Sequence, residues 1–225
     1  MVVPAIARSG WAPLARLAED HAEAFPAYGM HPMFLLQHRI SDVPLLDQWL
    51  DTHSAVAVGE IGLDYYIEDL DRDTQMTLFD RQLAIARNHR LPVIIHARRA
   101  VDAVIAALKR HRGIRGVVHS FSGSSEQARQ LMHLDFLLGI GGPATYPRAQ
   151  RLRKVIAELP AEQLLLESDA PDQPGAGHRG ERNEPAWLRE TLAELATIRA
   201  ESEEQMAATT TANAQRLFNF ELPGY

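Results

Sequence analysis

Val56–Asp64 reads VAVGEIGLD. A short apolar run bounded by turn signals is a strand buried on both faces. This one delivers a carboxylate, Glu60, toward its C-terminal end. Three further stretches repeat the pattern. Leu91–Ala97 (LPVIIHA) ends near His96, Gly116–Phe121 (GVVHSF) carries His119, and Leu164–Asp172 (LLLESDAPD) carries Asp169. Strands buried on both faces belong to parallel sheets covered by helices, and such enzymes place their chemistry at the C-terminal ends of the strands. Four strand ends bearing acidic or imidazole groups therefore point to a metal-dependent hydrolase.

The rest of the chain extends the alternation. Strands are predicted at Val2–Pro4, Pro26–Met30, Val56–Ile61, Pro92–His96, Gly116–Ser120, Phe136–Ile140 and Leu164–Ser168. Amphipathic helical segments lie between them: Trp11–Ala24, Val43–His53, Asp73–His89, Ala100–Arg110, Ser124–His133 and Arg148–Leu159. Two more, near Pro185–Ala200 and Ser202–Phe218, close the chain. Ser124 and Ser125 ahead of Glu126 and Gln127 read as a helix N-cap, as does Ser202 ahead of Glu203 and Glu204. An open doubly wound sheet holds seven strands, whereas a closed (β/α)8 barrel needs eight. The chain starts directly in an apolar run, so a strand and helix are expected to be missing ahead of it. The loop Asp172–Glu184 (DQPGAGHRGERNE), rich in Gly, Pro and charge, follows Asp169 and is expected to overhang the site.

Composition narrows the chemistry. With 225 residues and 46% hydrophobic content, the chain can bury one sizeable core, and a single domain over 1–225 is expected. It has no cysteine, so any metal is held by His, Asp and Glu, a donor set suited to Mg, Mn or Zn. The formal net charge of -6 means that contact with nucleic acid depends on bound cations or a local basic patch. No apolar stretch is long enough to span a bilayer and no secretory signal is legible, so a cytoplasmic location is the default.

Within the constellation, the two oxygens of Glu60 can bridge two cations, His96 and His119 are imidazole donors, and Asp169 is the best candidate for a general base that also touches a metal. Paired cations suit phosphodiester hydrolysis, because the charge that accumulates on oxygen is what they neutralise. Any one of these residues alone has an ordinary alternative: a hydrogen-bonded structural histidine, or an aspartate capping the next helix. Candidates for substrate contact are His31 in the GMHP turn, Arg98, and Glu167, two residues before Asp169 and on its strand face if a period of two holds. Gly139–Gly142 (GIGG) reads as a phosphate cradle or, more simply, a tight turn. Arg99, Arg148, Arg151, Arg153, Arg179 and Arg182 read mostly as solvated surface. His21, His38, His53, His89, His111 and His133 read as surface residues, and His178 has no assigned role.

GEIGLDYY around Glu60, PVIIHARRA around His96, VVHSFSGS around His119, LLLESDAPD around Asp169, GMHP at Gly29–Pro32 and NEP at Asn183–Pro185 resemble, in order and spacing, the TatD family of metal-dependent deoxyribonucleases. The resemblance runs from Val2 to the C-terminus. It implies a TIM-type barrel of the amidohydrolase-like superfamily, a two-metal site, and DNA as substrate, with exonuclease action described for several members. Glu60 would bridge both metals, His96 and His119 would complete one, and Asp169 would bind the other and assist the attacking water. The family opens on a strand ending in H-x-H, and this chain has no such motif; His21 and His31 stand in the wrong context to replace it. The deficit is about 30 residues, roughly one βα unit. The second metal should then bind weakly and the activity should be impaired. Two other readings remain: a metal-dependent hydrolase of another small substrate, and a non-catalytic relative. Oligomeric state is not predictable.

Overall fold

A computed structural model gives the fold and describes residues 1–220. The uniformly apolar runs form the strands β1 (Val2–Pro4), β2 (Phe25–Tyr28), β3 (Ala57–Asp64), β4 (Val93–Arg98), β5 (Gly116–Val118), β6 (Phe136–Ile140) and β7 (Leu164–Leu166). The segments of helical period form α1 (Trp11–Asp20), α2 (Val43–Thr52), α3 (Arg72–His89), α4 (Val101–Arg110), α5 (Ser125–Met132), α6 (Gln150–Glu158), α7 (Leu188–Arg199) and α8 (Glu203–Phe218). Strand and helix alternate from β1 to β7, and the seven strands among the described residues follow the α/β pattern expected for a TIM-type fold. The described residues divide into two compact units, Met1–Gly116 with residues 217–220, and Val117–Arg216.

The first unit holds β1 to β4, all parallel. Val2 pairs with Phe25, Ala27 with Ala57, and Ile61 with Ile95. Every residue of β3 is buried, which is why its sequence shows no polar alternation. Tyr28, Leu46, Ile61, Leu63, Phe79, Leu83 and Ile95 are the bulk of this core. Burying a side chain of this size contributes roughly 1.5–3 kcal/mol. Helix α3 starts at Asp71, whose side chain accepts the Thr74 N–H.

Two buried glutamines of α3 lie two helical turns apart. Gln75 accepts the Asp64 N–H at 2.7 Å and donates to the Asp64 carbonyl at 2.9 Å. Gln82 accepts the Met30 N–H at 2.8 Å and donates to the Met30 carbonyl at 3.3 Å. Strand ends leave backbone groups without ladder partners, and burial makes them costly unless paired. The paired amides therefore fix the chain just after β2 and at the end of β3, where the candidate ligands emerge.

The second unit holds β5 to β7, with Leu138 paired to Leu164 and Ile140 to Leu166 in parallel register. Its core gathers Leu131, Phe136, Leu138, Val155, Ile156, Leu164, Leu195 and Met206. The predicted N-cap of α5 forms in full: Ser124 Oγ accepts the Gln127 N–H and Gln127 Oε1 accepts the Ser124 N–H. Ser202 and Gln205 repeat the exchange at the start of α8. Buried Asn213 on α8 donates to the carbonyls of Ala161 and Leu164, both at 2.8 Å, tying that helix to the start of β7. No helix among the described residues is long and apolar enough to cross a membrane.

Candidate functional site

In the first unit the chemistry gathers at the C-terminal ends of β2, β3 and β4. The β3–β4 register slips between Val58 and Ile61, a local irregularity in the stretch that carries Glu60. Gly62, at φ +134°, lies so close to β4 that a Cβ there would sit 2.1 Å from the His96 carbonyl oxygen. Only glycine allows that approach. His96 then turns Nδ1 to Glu60 Oε1 at 3.4 Å and Nε2 to Asp64 Oδ2 at 2.9 Å.

Asp64 is fully buried and accepts the Tyr66 and Ile67 N–H groups as well. Burial alone would raise its carboxyl, but the bonds from His96, Tyr66 and Ile67 and the nearby imidazole outweigh it and hold the carboxyl below its ordinary value. An ionised carboxylate only accepts, so His96 directs Nε2–H to Asp64 and turns Nδ1, the nitrogen that would bind a cation, toward Glu60. This is the arrangement in which a carboxylate orients a metal-binding histidine.

His31 is fixed with the opposite polarity. Its Nδ1 accepts the Met33 N–H at 3.1 Å, so Nε2 bears the proton and donates to Glu60 Oε1 at 2.9 Å. His38 Nε2 donates to the His31 carbonyl at 3.0 Å. Burial pushes the His38 imidazole below its ordinary value, against the raising effect of that bond, and keeps it neutral. The ligand-type atoms of His31, Glu60 and His96 lie within 4.8 Å of one another. Of the three, Glu60 and His96 offer lone pairs, while His31 in this tautomer is the donor that orients Glu60.

In the second unit His119 follows directly on β5. Its Nδ1 lies 3.7 Å from Glu167 Oε1 and 3.7 Å from Asp169 Oδ1. Glu167 and Asp169 thus converge on one imidazole, although not through strand alternation. β7 ends at Leu166, and Asp169 reaches inward from a left-handed conformation, φ +56°. Glu167 also accepts the Ser120 N–H. A Cβ at Gly139 would lie 2.0 Å from Glu167 Oε2 and one at Gly141 3.2 Å from the Glu167 carbonyl oxygen. The GIGG stretch is therefore where β6 makes room for Glu167. Gln173, at the base of the Asp172–Glu184 loop, donates from Nε2 to Asp169 Oδ2 and accepts the Ser120 hydroxyl at 2.8 Å.

Other predicted residues fall elsewhere. Arg98 is exposed, with its guanidinium 3.7 Å from the centre of the Tyr66 ring; Arg99 lies 4.7 Å from the same ring. Arg151 donates to the Ser122 carbonyl and Arg153 pairs with Glu194, so these two brace the second unit. His38 was expected at the surface and is buried. Its ring holds the turn that carries His31, and GMHP followed by an apolar segment gave no sign of that contact. His178 stacks on Trp187 with ring centroids 3.6 Å apart and bonds Glu190 at 2.7 Å, which anchors the loop to the start of α7. Asn183 of the NEP motif donates to the carbonyls of Ser168 and Asp172 and so closes the loop's base. Sequence reasoning missed Asp64 and Gln173. The one usable signal was for Asp64, a second acid in a fully buried strand, four residues from Glu60.

The donor set fits a divalent cation. In the first unit Asp64 orients the His96 imidazole so that Nδ1 faces the Glu60 carboxylate, and these two side chains can serve as ligands.

Comparison with known proteins agrees with this. The family model described as TatD related DNase matches residues 1–219. An uncharacterized metal-dependent hydrolase of Escherichia coli K12, YjjV, is 42% identical over 97% of this chain and 86% of its own length. YabD of Bacillus subtilis, also named an uncharacterized metal-dependent hydrolase, is 34% identical over 90% of this chain and 80% of its own. The crystal structure of the E. coli YjjV protein, described as a TatD homolog, superposes with a TM-score of 0.94 over 98% of this chain and 86% of that one. A TatD family hydrolase from Entamoeba histolytica, at 21% identity and a TM-score of 0.80, shares the fold.

Proposed function

Because the chain belongs to the TatD family of metal-dependent hydrolases, we propose that it hydrolyses phosphodiester bonds of DNA, acting at strand ends with divalent cations. The single observation that carries the reading is the Asp64–His96–Glu60 chain of contacts, an imidazole prepared to bind a cation beside a carboxylate able to share it. The family model's description supports DNA as the substrate class.

Four residues are assigned to the reaction. Glu60 and His96 of the first unit, and His119 and Asp169 of the second, are the proposed ligands. Two cations, Mg, Mn or Zn, would neutralise the charge building on the phosphate oxygens and make a nucleophile available near neutral pH. His31 holds Glu60 in place through Nε2–H. Asp169 accepts the proton of the attacking water, while Glu167 fixes the Ser120 backbone beside His119. Arg98 is proposed to meet a substrate phosphate at the rim. With a net charge of -6, little else draws DNA in, so affinity rests on the cations and should fall steeply with salt. The protein is proposed to work in the cytoplasm.

A second reading, hydrolysis of another small substrate, is favoured by Glu68, Asp69, Asp71 and Asp73, which line an exposed cleft with Leu70 and Arg72 and outnumber its one cation, a charge that would repel a long polyanion. A substrate panel separates the two. End-labelled single- and double-stranded oligonucleotides, bis(p-nitrophenyl) phosphate, and cyclic amides or esters are offered with Mg, Mn or Zn. Metal-dependent shortening of the oligonucleotide from one end supports the proposal. Turnover of amides or esters with intact DNA selects the second reading.

A further inference from the structure

The Asp172–Glu184 loop enters the second unit's site through one neutral side chain, Gln173. We propose that Gln173 is a positioning residue: it sets the orientation of the Asp169 carboxylate and so the ability of Asp169 to bind a cation and take a proton. The inference rests on the role assigned to Asp169 above.

The geometry fixes both ends of the amide. Gln173 Oε1 accepts the Ser120 hydroxyl at 2.8 Å, which directs Nε2–H2 to Asp169 Oδ2. An amide has one accepting and one donating end, so this assignment satisfies both partners and the reverse satisfies neither the hydroxyl's proton nor the carboxylate. Asp169 Oδ1 then faces His119 Nδ1 at 3.7 Å. Rotation about the Asp169 Cβ–Cγ bond would break the bond from Gln173, so the amide keeps Oδ1 on the side of His119.

The backbone is built to make the contact. Ser120, Asp169 and Gln173 all adopt left-handed conformations, at φ +45°, +56° and +52°, which L-residues outside glycine seldom take. Asp172 N–H bonds the Asp169 carbonyl at 2.8 Å and closes a tight turn between the two side chains. Gly142 lets the loop approach, since a Cβ there would lie 2.4 Å from the Gln173 carbonyl oxygen. The amide is neutral, so it orients the carboxylate without competing with a cation for charge.

The test uses the whole chain with three variants, Gln173→Leu, Ser120→Ala and the double variant. Manganese binding is read by calorimetry, thermal unfolding is read without metal, and kcat and KM are read on an end-labelled oligonucleotide. Groups that orient metal ligands typically change affinity or activity about 10–100-fold when removed. Gln173→Leu should weaken manganese binding about tenfold and lower kcat with KM little changed, at an unfolding midpoint close to that of the parent. Ser120→Ala should lose about threefold, and the double variant should match Gln173→Leu, because the hydroxyl acts only through the amide. Unchanged or tighter manganese binding by Gln173→Leu would overturn the proposal, as would independent, additive losses in the double variant. If the parent cleaves no DNA, the manganese titrations still decide the role of Gln173, while the nuclease reading alone fails.

Discussion

Replacing Asp64 tests whether His96 is prepared as a ligand or merely buried. Asp64 is fully buried and serves three donors: His96 Nε2–H at 2.9 Å, Tyr66 N–H at 2.9 Å and Ile67 N–H at 3.3 Å. Asp64→Ala orphans all three. An unsatisfied buried donor costs about 1–3 kcal/mol. The two backbone groups are half-buried and can recruit water, so a loss of about 2–4 kcal/mol in urea unfolding is expected.

Asp64→Asn is the sharper variant. Its Oδ1 can still accept Tyr66 and Ile67, so stability should fall by only about 1 kcal/mol. Its Nδ2, however, then faces His96 Nε2 as a donor. The imidazole must then keep its proton on Nδ1, which can no longer take a cation beside Glu60. Manganese affinity should drop about 10–100-fold, or about 1.4–2.8 kcal/mol, more than the loss in stability. Calorimetry reads the affinity, and nitrogen-15 shifts of the labelled imidazole read the tautomer. Parent-like manganese binding by Asp64→Asn, with the proton still on Nε2, would refute the reasoning.

Other outcomes follow from single contacts. Gly62→Ala should cost at least about 2 kcal/mol in urea unfolding, since φ +134° is strained for alanine and its Cβ meets the His96 carbonyl oxygen. Ser124→Ala should cost about 1 kcal/mol, from loss of the α5 capping exchange. The bond to Glu190 leads the effects that raise the His178 imidazole above its ordinary value, despite slight desolvation. Its contribution to stability is therefore fully present below pH 6.5 and is lost as the pH rises through the raised value. The difference in unfolding midpoint between the parent and His178→Gln should accordingly shrink from pH 6 to pH 9, and a constant difference would remove His178 as a charged anchor.

The legible parts of this fold were those governed by hydrophobic pattern. β3 and β4 announce themselves because both faces are buried, so no polar residue interrupts them until the ligands appear. The α5 cap was legible because a capping box is local, Ser124 and Gln127 satisfying each other three residues apart. What escaped was long-range and polar. Gln75 and Gln82 look like ordinary helix residues, and only the packed structure shows them satisfying Asp64 and Met30. His38 sits in a turn whose sequence predicts exposure, yet its ring is needed under His31. Glu167 and Asp169 were expected to share a face through strand alternation, whereas the left-handed Asp169 brings them together after the strand has ended. Gln173 carries no charge and lies in a loop, so no motif could mark it.

The most direct test of the account is cleavage of an end-labelled oligonucleotide by the parent chain and by Glu60→Gln, with manganese and with excess chelator. Shortening from one end is expected for the parent in manganese, stopped by the chelator and reduced at least about 100-fold in Glu60→Gln, whose neutral amide cannot share a cation. Cleavage that survives the chelator, or proceeds undiminished in Glu60→Gln, would contradict it.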